Sequence, residues 1–131
     1  MDLDWLRSLY DLHNTTGTAF PEVLVRDYLH ADVEFVEFAT APGGGTHRGG
    51  DAVAELFRRR FEAGSMRVEE LELSAIDERR ALAAFRIHMR GLGSGAETSM
   101  PLWNLITLEG DRIVRVEEFS DEGDALAAAR R

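Results

Sequence analysis

The sequence contains no cysteine and no lysine. Without cysteine there is no disulfide framework, no thiolate nucleophile and no cysteine-based zinc or iron–sulfur site. Without lysine, Schiff-base chemistry, lysine-anchored pyridoxal phosphate and a P-loop are excluded. The sequence has 15 arginines and 24 acidic residues, so the formal net charge is -9. That charge repels phosphate, and we expect neither nucleic acid nor an anionic membrane as a partner.

Long apolar segments are also missing from the sequence. No run approaches the roughly 20 apolar residues that are needed to span a bilayer. The acidic start, Met1 to Asp4, lacks the apolar region of a secretory signal, and we expect a cytoplasmic protein. The 131 residues, 44% hydrophobic and 30% charged, are typical of one globular domain, which we place at 1–131.

The hydrophobic spacing predicts helices first and strands later. Helices are predicted over about 4–13, from about Pro21, and over about 51–63 with Asp51 as N-cap. Strands are predicted over 32–38, 68–76, 81–90, 99–108 and 112–119, and Asp121 can cap a short final helix. Glycine-rich loops are expected around 42–45 and 91–95. This order indicates an α+β fold with helices on one face of a curved mixed or antiparallel sheet.

Three strings in this order resemble a known family. They are LHADVEF at 29–35, HRGGDAV at 47–53 and GDRIVRVEEFSD at 110–121. The chain resembles the SnoaL-like branch of the NTF2-like superfamily from about Leu6 to Ala129. The resemblance implies a cone-shaped fold whose N-terminal helices pack on the concave face of the sheet and enclose a pocket. That superfamily includes isomerases, cyclases, epoxide hydrolases, dehydratases and non-catalytic binding modules, so the fold does not fix the activity.

Glu37 is the first candidate catalytic residue. On the predicted strand it shares a face with Val33 and Phe35, so its carboxylate is desolvated, paired or at the mouth of the pocket. A desolvated carboxylate could act as a general base near neutral pH. The resemblance agrees, because the ketosteroid-isomerase-like branch carries its general-base aspartate five residues after the position of Asp32. The alternative is an exposed glutamate at the end of a strand.

Asn104 is the second candidate, because it interrupts an apolar strand face. An amide there needs partners, either a ligand oxygen or the neighbouring backbone. The resemblance aligns it with a hydrogen-bonding aspartate of the isomerase-like branch and with the base of the cyclase branch, a role that asparagine cannot fill. His13 falls near the position of that branch's tyrosine donor, and Tyr10, one turn away, could serve instead. His13 could equally be a core histidine.

Glu118 is predicted to contact substrate. It resembles a catalytic aspartate of the epoxide-hydrolase-like branch, but that branch also needs an arginine and an aspartate on the strand at 84–88, where the inward positions of this sequence are Phe85 and Ile87. The apolar side chains predicted to line the pocket are Phe35, Phe85, Ile87, Leu102 and Ile106.

The four histidines show no metal-binding spacing, so we predict no metal and no cofactor. The Arg58–Arg60 run is interpreted as a solvated helix end.

These residues favour a small protein that encloses an apolar molecule bearing a carbonyl or hydroxyl group. As an enzyme it would be an isomerase or lyase, with Glu37 moving a proton next to a carbonyl and Asn104, with His13 or Tyr10, stabilising the oxygen. The alternatives are a non-catalytic ligand-binding domain or a pure interaction domain.

A homodimer is also predicted. The strand at 99–108 presents Trp103 and Leu105 on the face opposite Asn104, and large apolar side chains on an outer sheet face usually mark an interface. The SnoaL-like branch commonly pairs through this face. The alternative is that the final helix covers Trp103 within the monomer.

Overall fold

The computed structural model describes residues 1–39, 41, 44–91, 93 and 95–131. The helices are α1 (Leu3–Thr15), α2 (Phe20–Asp27), α3 (Gly50–Ala63) and α4 (Glu122–Ala129), with a 3-10 turn at Gly17–Ala19. The strands are β1 (Leu29–Val36), β2 (Thr46–Arg48), β3 (Gly64–Ala75), β4 (Arg80–Gly91), β5 (Glu97–Glu109) and β6 (Arg112–Phe119). The predicted glycine loops include Pro42, Gly43, Leu92 and Ser94, which lie outside the described residues.

The strands form one open mixed sheet in the order β2-β1-β6-β5-β4-β3. β1 and β6 run parallel, and every other neighbouring pair is antiparallel. The register of β3 shifts between Glu69 and Glu72, where Glu70 has a positive φ of 58°. A bulge of this kind bends and twists a strand, which curves the sheet into the predicted cone.

Helices α1, α2 and α3 pack on the concave face of this sheet. Their buried side chains, Leu6, Leu24 and Val53 among them, share one core cluster with Val33 and Phe85 of the sheet. The alternation of side chains along each strand sends every second residue into this cluster. The α+β class and the helices on the concave face are as predicted.

Local signals located most element ends well. β6 has the predicted bounds, and Gly110, with a φ of 61°, lies in the turn before it. The Asp121 carboxylate accepts the amide of Asp124 at 2.9 Å and caps α4. Asp51 does not cap α3, because the N-cap is Gly49, whose φ of 86° suits glycine, and Asp51 lies in the first turn.

Helix α4 covers part of the outer sheet face. Leu105 is 3% exposed and packs with Leu82 and the alanines of α4, and Trp103 is half-buried beside them. The prediction that Leu105 is available to a second copy of the chain is therefore wrong, because the last helix buries it within the monomer. Trp103 keeps part of its surface exposed.

Gly64 joins α3 to β3 and has no room for a side chain. A Cβ atom at this position would overlap the backbone oxygen of Arg90, which lies on the paired strand. We expect Gly64→Ala to lower the free energy of unfolding by about 1–3 kcal/mol, because the backbone must shift. Urea denaturation measures this, with Gly123→Ala as the control, since an added Cβ there meets only the Asp121 side chain. An equal effect of both substitutions would contradict the prediction.

Candidate functional site

A cavity of about 910 Å³ lies between the three N-terminal helices and the concave sheet face. All five of the apolar side chains predicted to line a pocket contribute to its wall, namely Phe35, Phe85, Ile87, Leu102 and Ile106. The polar side chains on the wall include Tyr10, His13, Glu37, Arg60, Asn104 and Glu118. The volume is that of a small-molecule site.

Glu37 follows β1 directly and points into this cavity. Its side chain is buried, and both of its carboxylate oxygens have partners. Oε2 lies 2.9 Å from His47 Nε2, and Oε1 accepts a hydrogen bond of 3.2 Å from Arg60 Nη2. Of the three environments that the sequence left open for Glu37, the structure has the paired one.

Arg60, in the last turn of α3, joins two carboxylates. Its Nη1 and Nη2 donate to the two oxygens of Glu118 at 3.1 and 2.9 Å, and Nη2 also reaches Glu37. The guanidinium carbon lies 5.5 Å from the ring centroids of both Phe35 and Phe57, a cation–π geometry. Burial acts to lower the pKa of Arg60, but the two carboxylates outweigh it and raise that pKa above its ordinary value.

Arg60 and His47 were missed as site residues by the sequence analysis. The interpretation of the arginine run as a solvated helix end is wrong for Arg60, although Arg58 and Arg59 are exposed. A signal for Arg60 was present, since it lies three and four positions after Phe57 and Leu56 on the apolar face of α3. His47 lies on β2, where its register partner is Phe35, and a three-residue strand gives too short a pattern to predict.

Tyr10 and Asn104 form a hydrogen-bonded pair in the cavity wall. Asn104 Nδ2 donates to Tyr10 Oη at 2.8 Å. Asn104 of β5 is also the register partner of Glu118 of β6, so these side chains are cross-strand neighbours on one face. Burial raises the pKa of Tyr10, the hydrogen bond from Asn104 opposes this, and the charge of Glu118 adds to the rise, so the hydroxyl keeps its proton.

His13 is packed as an aromatic side chain rather than joined to this pair. Its ring centroid lies 5.1 Å from that of Phe20 and 5.3 Å from that of Phe61, and Nδ1 lies 3.3 Å from Asn14 Oδ1. Burial lowers the pKa of His13, the contact with Asn14 opposes this, and the charge of Arg60 adds to the lowering. Tyr10 is therefore the partner of Asn104, and His13 is a neutral side chain of the wall.

The lowered pKa of His13 makes stability depend on pH. Between that pKa and the ordinary value of about 6.5, the unfolded chain binds a proton that the folded chain does not. We expect the free energy of unfolding to fall as the pH drops below about 6.5. The total loss is about 1.4 kcal/mol for each pH unit that separates the pKa of His13 in the folded chain from its ordinary value. Urea denaturation at pH 7.5 and 5.5 should show a smaller loss for His13→Phe than for the wild type. His88→Gln, on the outer face, is the control, and an unchanged loss in His13→Phe would contradict the assignment.

The polar groups form a continuous row along the cavity wall. His47 contacts Glu37, Arg60 joins Glu37 to Glu118, and Glu118 lies beside Asn104, which binds Tyr10. The row holds two carboxylates, one guanidinium and one imidazole. It therefore offers carboxylates that can accept a proton and a hydroxyl that can donate a hydrogen bond, side by side in a largely apolar chamber.

A curved sheet that wraps around three helices and encloses a cavity with polar side chains along one wall is the NTF2-like cone. The chain belongs to the SnoaL-like domain family, whose sequence pattern matches residues 13–116. No functionally curated protein matches this chain.

Solved structures share this fold at low sequence identity. A candidate polyketide cyclase from Xanthomonas campestris pv. campestris has a TM-score of 0.75 at 17% identity, covering 95% of this chain and 93% of that chain. TerC, co-crystallised with polyporic acid, has a TM-score of 0.74 at 16% identity, covering 98% of each chain. An NTF2-like protein of unknown function from Burkholderia pseudomallei has a TM-score of 0.75 at 17% identity, covering 98% of this chain and 97% of that chain. At such identities the similarity establishes the fold alone.

Within the described part of the chain, no group of three or more histidine, aspartate and glutamate side chains could hold a metal ion. No helix in the same residues combines the length and apolar character of a membrane span.

Proposed function

We propose that this protein binds an apolar small molecule carrying a carbonyl or hydroxyl group and moves a proton at the carbon next to the carbonyl. The reaction is of the isomerase or lyase type and uses no cofactor. The observation that carries the proposal is that a buried carboxylate, Glu37, and a tyrosine–asparagine pair share the wall of one cavity. The family and the ligand-bound structure of TerC support a small-molecule role for the cavity.

Glu37 is better suited than Glu118 to accept the proton. Arg60 donates to both oxygens of Glu118 in a bidentate contact, so each of these oxygens already accepts a charge-assisted hydrogen bond. Glu37 receives a single, longer contact of 3.2 Å from the same guanidinium. Each carboxylate oxygen has a second lone-pair direction, so Glu37 can still accept a proton from a ligand.

In the proposed step, the C–H bond next to the carbonyl breaks and its proton moves to Glu37. The electron pair forms the C=C bond of an enolate, and the developing negative charge on the carbonyl oxygen accepts a hydrogen bond from the Tyr10 hydroxyl. Asn104 holds Tyr10 in place through the 2.8 Å contact. In a substrate whose enolate is conjugated with a further C=C bond, return of the proton from Glu37 to the far carbon of that bond shifts the double bond and completes an isomerisation.

Hydrogen exchange into solvent tests this proposal without knowledge of the natural substrate. Bicyclic ring ketones are incubated with the protein in D2O, and the loss of the proton next to the carbonyl is followed by NMR. We expect catalysed exchange in ketones that also raise the melting temperature by binding the folded chain. Stabilisation by ketones without any exchange would reject catalysis and support the alternative, a ligand-binding domain.

That alternative has one structural argument in its favour. Both oxygens of Glu37 are already paired, with His47 and Arg60, as in a purely structural ion cluster. Stabilisation only by sugars or nucleotides would reject the apolar ligand that we propose, because the cavity wall is largely apolar.

The homodimer stays a proposal, now centred on Trp103, since α4 covers Leu105. The register partners of Trp103 are Phe119 on β6 and Ala84 on β4, and Arg86 lies two residues beyond Ala84 on the same face of β4. Sedimentation equilibrium at micromolar concentration is expected to give twice the chain mass of 14.6 kDa. Trp103→Glu should give the single-chain mass. A wild-type protein that sediments at 14.6 kDa would disprove the dimer.

A further inference from the structure

The cavity meets solvent at one end of the cone. Most of the residues that line it are buried or half-buried, and the exposed ones in the described chain are Arg59, Ala63, Ser65, Arg90, Ala96 and Thr98. They lie at the end of α3, at the start of β3, at the end of β4 and around the start of β5. These four elements therefore form the mouth of the cavity, where part of a bound molecule stays in contact with water.

Arg59 contributes an uncompensated positive charge to this mouth. It lies three positions after Leu56 and four before Ala63, which also line the cavity, so the three residues share one flank of α3. The arginines on either side of it in the sequence, Arg58 and Arg60, each lie within 3.6 Å of a glutamate oxygen. Arg59 itself forms no ion pair with any residue that the structure describes, although the chain has 24 acidic residues.

Arg90, the other arginine at the mouth, does not offer a second free cation. Met89 lies on the concave face of β4, so the alternation of side chains directs Arg90 to the outer face. There its Nη2 lies 3.4 Å from an oxygen of Glu97, the register partner of Arg90 on β5. The charge that is available to a ligand at the mouth is therefore that of Arg59.

The charges inside the cavity restrict where an anionic group of a ligand could lie. Glu37 and Glu118 already share the guanidinium of Arg60, so a further anion deep in the chamber would be close to two carboxylates. At the mouth, the guanidinium of Arg59 can hold a carboxylate through two parallel hydrogen bonds. The low dielectric of the apolar wall beside it strengthens this attraction.

The wall next to the mouth is suited to an apolar body of irregular shape. Three of the four methionines of the sequence, Met66, Met89 and Met100, line the cavity. Met66 and Met89 are register partners on β3 and β4, and Met89 also pairs with Thr98, one of the exposed residues of the mouth. Methionine side chains are flexible and polarisable, so they can pack against ring systems of different outline.

We infer that the ligand is an apolar carboxylic acid, whose ring system fills the chamber and whose carboxylate lies at the mouth on Arg59. The inference rests on the proposed function in taking the cavity as a small-molecule site, and it adds an anionic group to the substrate class. Arg59 is then a specificity-determining residue that binds the ligand away from the carbon where the proton moves.

Two probes of matched size test this by isothermal titration calorimetry at pH 7 and low ionic strength. They are 2-naphthoic acid, which is a carboxylate at this pH, and the neutral 2-naphthamide. We expect the wild type to bind the acid about 5-fold more tightly than the amide, as one solvent-accessible ion pair implies. Arg59→Gln should reduce this ratio to about 1 or below and leave the affinity for the amide unchanged. Arg58→Gln is the matched control, because it removes the same charge from the adjacent position, and it should keep the ratio of the wild type.

The other outcomes contradict different statements. A preference for the acid that persists in Arg59→Gln would place the carboxylate elsewhere in the cavity and overturn the inference. An equal fall of the ratio in Arg58→Gln would show that only the net charge matters, which also overturns it. Tighter binding of the amide by the wild type would overturn the inference and leave the proposed small-molecule site standing. Binding of neither probe would overturn the proposed small-molecule site together with the inference.

Discussion

Arg60→Met is expected to lower the free energy of unfolding at pH 7 by about 3–5 kcal/mol. Arg60 is the cation that contacts both Glu37 and Glu118, and its removal leaves two buried carboxylates near each other without the guanidinium that they share. Methionine keeps much of the apolar stem that packs beside Phe35 and Phe57, so the change in charge dominates. Urea denaturation monitored by circular dichroism measures the effect.

Two comparisons separate this effect from a general disturbance of α3. Arg59→Met removes an exposed arginine from the adjacent position and should change stability by no more than about 0.5 kcal/mol. Adding Glu37→Gln and Glu118→Gln to Arg60→Met removes the repulsion and should recover most of the loss. A variant as stable as the wild type would show that the cluster is not held by charge.

Glu37→Gln is expected to slow the proposed proton transfer by about 10²–10⁴-fold, since an amide cannot accept the proton. Glutamine has nearly the same size and keeps an acceptor for Arg60, while Arg60 retains its bidentate contact with Glu118, so the fold should be preserved. The measurement is the rate of exchange in D2O of whichever ketone the wild type exchanges, with kcat and KM determined separately.

The expected pattern is a fall in kcat with little change in KM. Glu118→Gln should have a smaller effect, because we assign Glu118 to holding Arg60 rather than to accepting the proton. Glu117→Gln is the matched control, since Glu117 lies on the opposite face of β6, paired with Arg115 and Arg131. An unchanged kcat in Glu37→Gln would move the base to another residue.

The sequence predicted those parts of the site that depend on strand periodicity. Glu37, Asn104 and Glu118 each lie on a strand face, or just past its end, with apolar neighbours two residues away, and all three are buried. The alternation of side chains fixes the face without any knowledge of the partner strand. It could not show which residues meet, because the order of strands in the sheet and the strand register depend on contacts between distant parts of the chain.

Arg60 shows the second limit of sequence reasoning. A run of three arginines at a helix end is usually solvated, and two of the three are. Only the packing of α3 against the sheet turns the third toward Glu37 and Glu118, whose combined charge compensates for its burial. His47 was missed for a different reason, since β2 forms only because β1 offers a free edge.

The parallel pairing of β1 with β6 has a consequence for how the protein acquires its site. β1 ends just before Glu37, and β6 carries Glu118, so the two carboxylates come from distant parts of the sequence. During synthesis, β1, α3 and Arg60 leave the ribosome long before β6. Until β6 is made, Arg60 lacks its contact with Glu118, and Asn104 lacks its cross-strand neighbour on β6. Contacts of such long range form slowly, typically over milliseconds to seconds, and in one cooperative step. A nascent chain that stops before Arg112 would therefore hold an apolar concave face with no assembled site, a state that is prone to aggregation.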